Sequence, residues 1–423
     1  MAINSDAYNP PFLEHYEGKQ VSQEDDLYPE GGLRAWLVAA GAACILFATL
    51  GWANSFGVFF PFYLNHQLSA ESPDSIAWIG SVQVTLSFAT GVVGGPLFDR
   101  YGTLVLRPAT AAYIFAVMVT SLCEKYWQFM LAQGVLTGIA MGFLLSPSMA
   151  AVSQHFHRRR GAAMGIAIAG SSIGSVVFPI MLSKLLNETN IGFGWSVRIA
   201  GFIMLPVLGF SVLTIKTRLE PRKTQFFLPE AFKSRLYLAL IAATFFLFIG
   251  TFIPLFYIST YAISRGMNNT LAGYLVAILN GAGVPGRIIP GIMGDKLGRL
   301  NALCAAGVAT AVLIFCWPTA VSDAAIIVFS VAIGFTSGAI ISGASVAITL
   351  CASNPKDVGT WLGQALAIAS LAALGGGPAN GALVKAYDSF DQVSYLSGSA
   401  CMFGAALVLA AKACTPEGLF GRV

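Results

Sequence analysis

Gly95-Pro96-Leu97-Phe98-Asp99-Arg100-Tyr101-Gly102 and Gly291-Ile292-Met293-Gly294-Asp295-Lys296-Leu297-Gly298-Arg299 share one pattern, Gly-x3-Asp-[Arg/Lys]-x-Gly, and stand nearly half the chain apart. Each copy closes an apolar run long enough to cross a bilayer. One copy alone would be a turn with salt-bridging residues; two in register make an internal repeat. The residue types have distinct uses. Glycine permits close helix approach, the aspartate can cap a neighbouring helix N-terminus, and the cation can reach a carboxylate or carbonyl across the repeat. Asp99, Arg100, Asp295, Lys296 and Arg299 are therefore candidates for a latch between two halves, one that is made and broken.

The rest of the chain agrees with a membrane setting. Its 423 residues are 56% hydrophobic and only 10% charged, with mean hydropathy +0.71, which belongs to the membrane class. A scan for apolar runs of about 20 residues finds twelve, at 35–63, 76–97, 105–123, 127–152, 161–186, 196–216, 237–263, 271–293, 300–318, 324–350, 360–385 and 393–411. The predicted fold class is an all-α membrane protein with twelve transmembrane helices. Its expected organisation is a cytoplasmic tail over 1–33, a six-helix half over 34–216, a central loop over 217–236, a second half over 237–412 and a tail over 413–423. The first segment holds seven acids against Lys19 alone, and reads as a disordered tail rather than a signal peptide.

Orientation follows from the cations, which accumulate on the cytoplasmic side. With the N-terminus inside, 18 of the 24 Lys and Arg fall in cytoplasmic loops and tails. Lys125, Lys184, Arg198, Arg265 and Lys385 fall outside, and Arg287 remains within a run. Both termini are expected to be cytoplasmic and the membrane to be the plasma membrane. Asn187-Glu188-Thr189 and Asn268-Asn269-Thr270 land in external loops as weak glycosylation candidates, although loops this short favour chance occurrence. The seven cysteines lack metal-ligand spacing and read as packing residues. No metal, cofactor or nucleic-acid partner is expected; the partners are a small organic substrate and the bilayer, with a monomer as the working unit.

The two loop copies resemble the signature loop of the major facilitator superfamily. That resemblance implies its fold, two pseudo-symmetric six-helix bundles that rock about a central site. The first copy lacks the basic pair that the fuller pattern carries after Gly102 and offers Arg107 only later. A narrower resemblance lies in Glu30-Gly31-Gly32-Leu33-Arg34-Ala35-Trp36 and in the stretch from His155-Phe156-His157-Arg158-Arg159-Arg160-Gly161 to Gly174. Both are similar to the paired signatures of the monocarboxylate porter family in its fungal branch. Pro355-Lys356-Asp357-Val358-Gly359-Thr360 and Gly377-Pro378-Ala379-Asn380-Gly381-Ala382 agree with it.

Read from the residues alone, Arg158, Arg159 and Arg160 form an anchor at head-group level. Gly170 and Gly174, with Gly161 and Gly165, offer a smooth helix surface for packing or sliding. Gly375-Gly376-Gly377-Pro378 must loosen its helix and free backbone carbonyls. Gly377 and Pro378 are thus a candidate hinge, with close packing equally open.

An ionisable group inside the bilayer is a functional hypothesis by default. Arg287 lies eight residues before Asp295, roughly 12 Å in from the helix end. Its guanidinium cannot lose its charge and can hold a carboxylate bidentately; the other reading is an arginine that snorkels inward or ties its helix to backbone carbonyls. The resemblance implies the first: an arginine on this helix contacts substrate anions in the monocarboxylate porters. The animal members also use an aspartate one turn earlier and a lysine on the first helix. Here Gly283 takes the first place, and no lysine occurs between Lys19 and Lys125. Proton coupling by that scheme is in doubt. Facilitated diffusion, exchange, or a proton carried on the substrate remain open. Asn54, Ser171, Ser172, Tyr257, Asn280, Phe335, Trp361 and Gln364 complete the candidate substrate cavity.

These features predict a secondary transporter moving an organic anion, monocarboxylate-like or an acidic metabolite, by alternating access. The alternative is an efflux carrier for a fungal secondary metabolite encoded beside its biosynthetic genes. An integral-membrane enzyme would need a His, Asp, Cys or Ser cluster near a membrane face, and the sequence offers none. A non-transporting sensor would carry a long added cytoplasmic domain, which tails of these lengths do not supply.

Overall fold

The computed structural model describes residues 30–219, 227–352, 354–387, 389–415, 417, 418 and 421. Each of the twelve apolar runs folds as helix: α1 (Gly32–Asn65), α2 (Pro73–Ala89 continued by Gly91–Tyr101), α3 (Leu106–Thr120), α4 (Tyr126–Ser153), α5 (Arg160–Asn187) and α6 (Gly192–Thr214). The second half repeats the set as α7 (Arg235–Ser264), α8 (Asn269–Leu297), α9 (Arg299–Cys316), α10 (Asp323–Leu350), α11 (Val358–Tyr387) and α12 (Asp391–Ala413). Ten helical stretches among the described residues are long and apolar enough to cross a membrane. One of them, Ser75–Thr120, contains both α2 and α3. Within α11 the side chains of 373–386, and with them the candidate hinge at Gly377 and Pro378, lie outside the described residues.

The breaks inside these helices have local causes. α1 is interrupted at Ser55, whose hydroxyl donates to Gly51 O at 2.9 Å. α2 is interrupted at Thr90, whose hydroxyl donates to Leu86 O at 2.7 Å. Side chains that bond back to the preceding turn compete with the backbone ladder and bend helices. α4 opens into a π-turn over Met130–Leu136, and Thr137 Oγ1 bonds five residues back to Ala132 O at 2.8 Å.

Inside the first half the tightest packing is α1 against α5. A Cβ at Gly170 would collide with Ala43 O, and one at Gly174 with Phe47 O. Of the glycines expected to serve packing or sliding, Gly170 and Gly174 face α1, whereas Gly161 and Gly165 face α8. Each half is then closed at the end away from the Asp loops by an aromatic cluster. Tyr63, Phe129 and Phe193 meet in the first half, with Tyr63 and Phe129 centroids 4.5 Å apart. Tyr261, Trp317, Phe329 and Phe390 meet at the matching place in the second, with Trp317 stacked on Phe329 at 5.7 Å. The outward helix faces carry exposed Phe115, Leu131, Leu213, Val328 and Phe403, as a lipid-facing surface requires. Asn187 and Asn268 are exposed at the ends of α5 and α8 opposite the Asp loops.

Gly174→Val should destabilise the folded carrier by about 1–3 kcal/mol, the usual cost of forcing extra methyl groups into a filled seam. Gly209→Ala, where nothing lies within 4 Å of the added Cβ, should be silent. Thermal unfolding of the purified protein in detergent measures both.

Candidate functional site

The two Asp loops meet the opposite half. Asp99, at the end of α2, accepts hydrogen bonds from the backbone N–H of Gly359 (3.1 Å) and Thr360 (2.7 Å) and from the Thr360 hydroxyl (2.6 Å) at the start of α11. Asp295, at the end of α8, accepts from the N–H of Gly161 and of Ala162, both at 2.9 Å, at the start of α5. Each carboxylate therefore caps a helix of the other half, where orphan N–H groups and the helix dipole both favour negative charge. The helices can come this close because a Cβ at Gly95 would strike Gly359 O, and one at Gly291 would strike Gly161 O.

Of the five expected latch residues, Asp99, Asp295 and Arg299 cross between halves. Arg299 pairs with Asp295 at 3.0 Å and donates to the carbonyls of His157 and Arg158. Arg100 is exposed over the ring of Tyr101, and Lys296 is exposed. Arg160 departs from its expected place at the head groups. It is 4% exposed and donates to Phe156 O and, across the halves, to Thr349 O at 3.2 Å on α10. Carbonyls in the last turn of a helix lack partners of their own and accept from a guanidinium within reach. Glu30 was not singled out for a contact by sequence. Its carboxylate accepts from the N–H of His157 (2.6 Å), Arg158 (2.7 Å) and Arg159 (3.2 Å), so the loop before α5 is held from both sides. Its place in the Glu30-Gly31-Gly32 stretch was the available signal.

Farther in along the same seam lies Arg287, 7% exposed, enclosed by α5, α8 and α10. Its Nη1 donates to Ser172 Oγ on α5, and its Nε has no hydrogen-bond partner among the described residues. Its carbonyl packs where Gly165 leaves room, and its Cγ lies by Gly338 of α10. One turn earlier, a Cβ at Gly283 would stand 2.9 Å from Ser172 Oγ. The place one turn before Arg287 therefore carries no side chain and faces the hydroxyl that Arg287 meets.

The remaining candidates sit in separate groups. Asn54, at the break in α1, donates to Ser175 Oγ at 2.8 Å. Ser171 is buried and bonds back to Ile168 O. Asn280 is buried on α8 and bonds back to Val276 O at 2.9 Å. Tyr257 and Phe335 are half-buried, and Phe335 offers its backbone to Gly286, next to Arg287. Trp361 follows the latched Thr360 directly, stacking edge-on against Tyr237 at 4.7 Å, so it belongs to the latch end. Gln364 is buried with Oε1 unpartnered among the described residues. No group of three or more His, Cys, Asp or Glu that could hold a metal occurs among those residues.

Residues 41–360 match the family model described as Major Facilitator Superfamily. The chain is 48% identical to the aspyridones efflux protein apdF of Emericella nidulans over 92% of its own length and 80% of that protein's. It is 37% identical to the agnestins efflux protein AgnL12 of Paecilomyces divaricatus, covering 91% and 89%. Among solved structures, the FucP transporter in its outward conformation superposes with TM-score 0.72 at 13% identity, over 89% of this chain and 99% of that one. The human organic anion transporter MFSD10 superposes with TM-score 0.68 at 14% identity, over 90% and 99%.

Asp295→Asn and Asp99→Asn should each weaken closure at this end by about 1.5–3 kcal/mol, the range for hydrogen bonds to a charged group. Faster amide exchange at the first turn of the helix that each one caps is the readout. A second prediction concerns pH. Burial holds the imidazole of His155 below its ordinary value, with Arg218 and Arg34 adding to the effect and a bond to Ala151 O opposing it. The unfolded chain then binds the proton more readily, so stability falls as pH drops through about 6.5. Melting curves from pH 7.5 to 5.5 should show a smaller fall for His155→Gln than for the wild type.

Proposed function

Because the chain belongs to the major facilitator superfamily, we propose that it is a secondary carrier exporting an acidic, amphipathic secondary metabolite from a fungal cell by alternating access. The observation that carries the anionic charge is Arg287, a buried guanidinium whose Nε has no partner among the described residues. Leaving a charged donor unsatisfied at membrane depth is costly, and a cargo carboxylate would satisfy it. With Gly283 one turn away there is no internal counter-carboxylate at that place, so the negative charge is to come from the cargo.

Export is supported by the relatives, two of which bear the word efflux in their names. None of the relatives named above is described as a monocarboxylate porter, so the narrower expectation gives way to metabolite export. In this reading the latch end is cytoplasmic, as the cation distribution expects. The structure is then closed toward the cytoplasm, the state from which cargo leaves. The halves at 34–216 and 237–412 rock as two bodies of one monomer in the plasma membrane, with both termini inside.

Disrupting the gene in a producing fungus should shift the metabolite from medium to mycelium. An unchanged distribution together with poor growth on organic acids would indicate uptake instead. In proteoliposomes, Arg287→Ala should lower flux of the anionic cargo by about 100-fold, the equivalent of roughly 3 kcal/mol for a charge-assisted contact. Unchanged flux in that variant would remove Arg287 from the binding site while leaving export intact.

A further inference from the structure

We infer that Ser172 is a counter-ligand for Arg287: its hydroxyl takes the guanidinium when the latch end is closed, in competition with the cargo, and surrenders it when that end opens. The inference rests on the export of an anion argued above and adds how the carrier lets its cargo go.

Arg287 belongs to the second half and Ser172 to the first, so their hydrogen bond crosses the boundary that moves. Ser171 and Ser175, its neighbours on α5, donate to their own helix at Ile168 O (2.8 Å) and Ser171 O (2.7 Å). Ser172 does not. Among the described residues its hydroxyl, wholly buried, bonds only to Arg287. Gly161, Gly165 and Ser172 are spaced four and seven residues apart, which places them on one stripe of α5. The first two meet Gly291 and the Arg287 carbonyl. Ser172 can therefore reach the guanidinium only while α5 and α8 lie in contact, the contact that Asp295 secures at the latch.

The second seam serves as an internal control. Gly91 stands eight residues before Asp99, as Arg287 stands before Asp295, and Ser370 stands eleven after Gly359, as Ser172 stands after Gly161. There the serine donates to Ala367 O at 2.7 Å on its own helix, and the glycine has no side chain to donate. The cross-half tie is thus a feature of α5 and α8, and among the described residues the pseudo-symmetric pair does not repeat it at the matched places. A hydroxyl that binds the guanidinium in the closed state lowers cargo affinity in that state, and cargo must by linkage disfavour the tie to the same extent. Affinity is then weaker where cargo is released and stronger where it is collected.

The test is hydrogen exchange at the first turn of α5, residues 161–165, in the full-length carrier reconstituted in nanodiscs. Without cargo, Ser172→Ala should speed exchange there about tenfold, the loss of one charge-assisted hydrogen bond. Arg287→Met should do the same, and the double variant should be no faster than either single one. Unchanged exchange in Ser172→Ala, or additive acceleration in the double variant, would overturn the tie, since a packing defect adds while a broken bond cannot be broken twice. Then 2-naphthoate, an amphipathic aromatic anion, should speed exchange in the wild type but not in Ser172→Ala, whereas uncharged 2-naphthamide should act on neither. A wild type equally indifferent to both probes would count against the anion reading while the cargo-free result still stands for the tie. An equal response to naphthoate in both proteins would refute the competition.

Discussion

A carboxylate at the end of one half capping the first turn of a helix in the other is the interaction on which the rest of this structure depends. Asp99 on Gly359 and Thr360, and Asp295 on Gly161 and Ala162, are the same contact made twice by a chain that repeats itself. The cap is strong because the N–H groups it satisfies have no partner in their own helix. It is also directional, and so it sets the register of everything farther along the seam. Glycine meets backbone at Gly95 and Gly359, and again at Gly291 and Gly161. A side chain at any of these places would hold the helices apart and pull the carboxylates out of range.

Against that symmetry, one position stands out. Matched places along the two seams hold Gly91 in the first and Arg287 in the second. The first seam can close as a dry glycine track. The second closes over a permanent positive charge, which needs a partner at all times. Ser172 supplies one partner here, and the neighbouring turn holds Gly283 in place of a carboxylate. The plan thus places a buried charge in one seam and glycine-backed helix caps in both.

Much of this was legible in order along the chain. Twelve apolar runs are a local property, because a helix in lipid must satisfy its own backbone, and the Asp loops could be paired by their spacing alone. Arg287 could be singled out because a charge is conspicuous among apolar neighbours. Other contacts could not be read this way. Arg160 looks like one of three equivalent head-group arginines, yet it turns inward because Thr349 O, in the last turn of α10, lies beside it. Glu30 looked like part of an acidic tail, yet it collects three consecutive backbone N–H groups across more than a hundred residues. Trp361 was expected among the cavity residues and lies by the latch, because it directly follows the threonine that Asp99 holds.

The sequence by itself determined the spans, the duplication and the identity of the arginine that falls within an apolar run, Arg287, since hydropathy, spacing and charge are written residue by residue. Only the tertiary structure decided that the latch aspartates act as helix caps on the opposite half, that Gly170 and Gly174 seat α1, and that Ser172 rather than a carboxylate faces Arg287. These depend on which faces of separate helices come within about 3 Å of one another, the range of a hydrogen bond. No periodicity within one helix carries that distance.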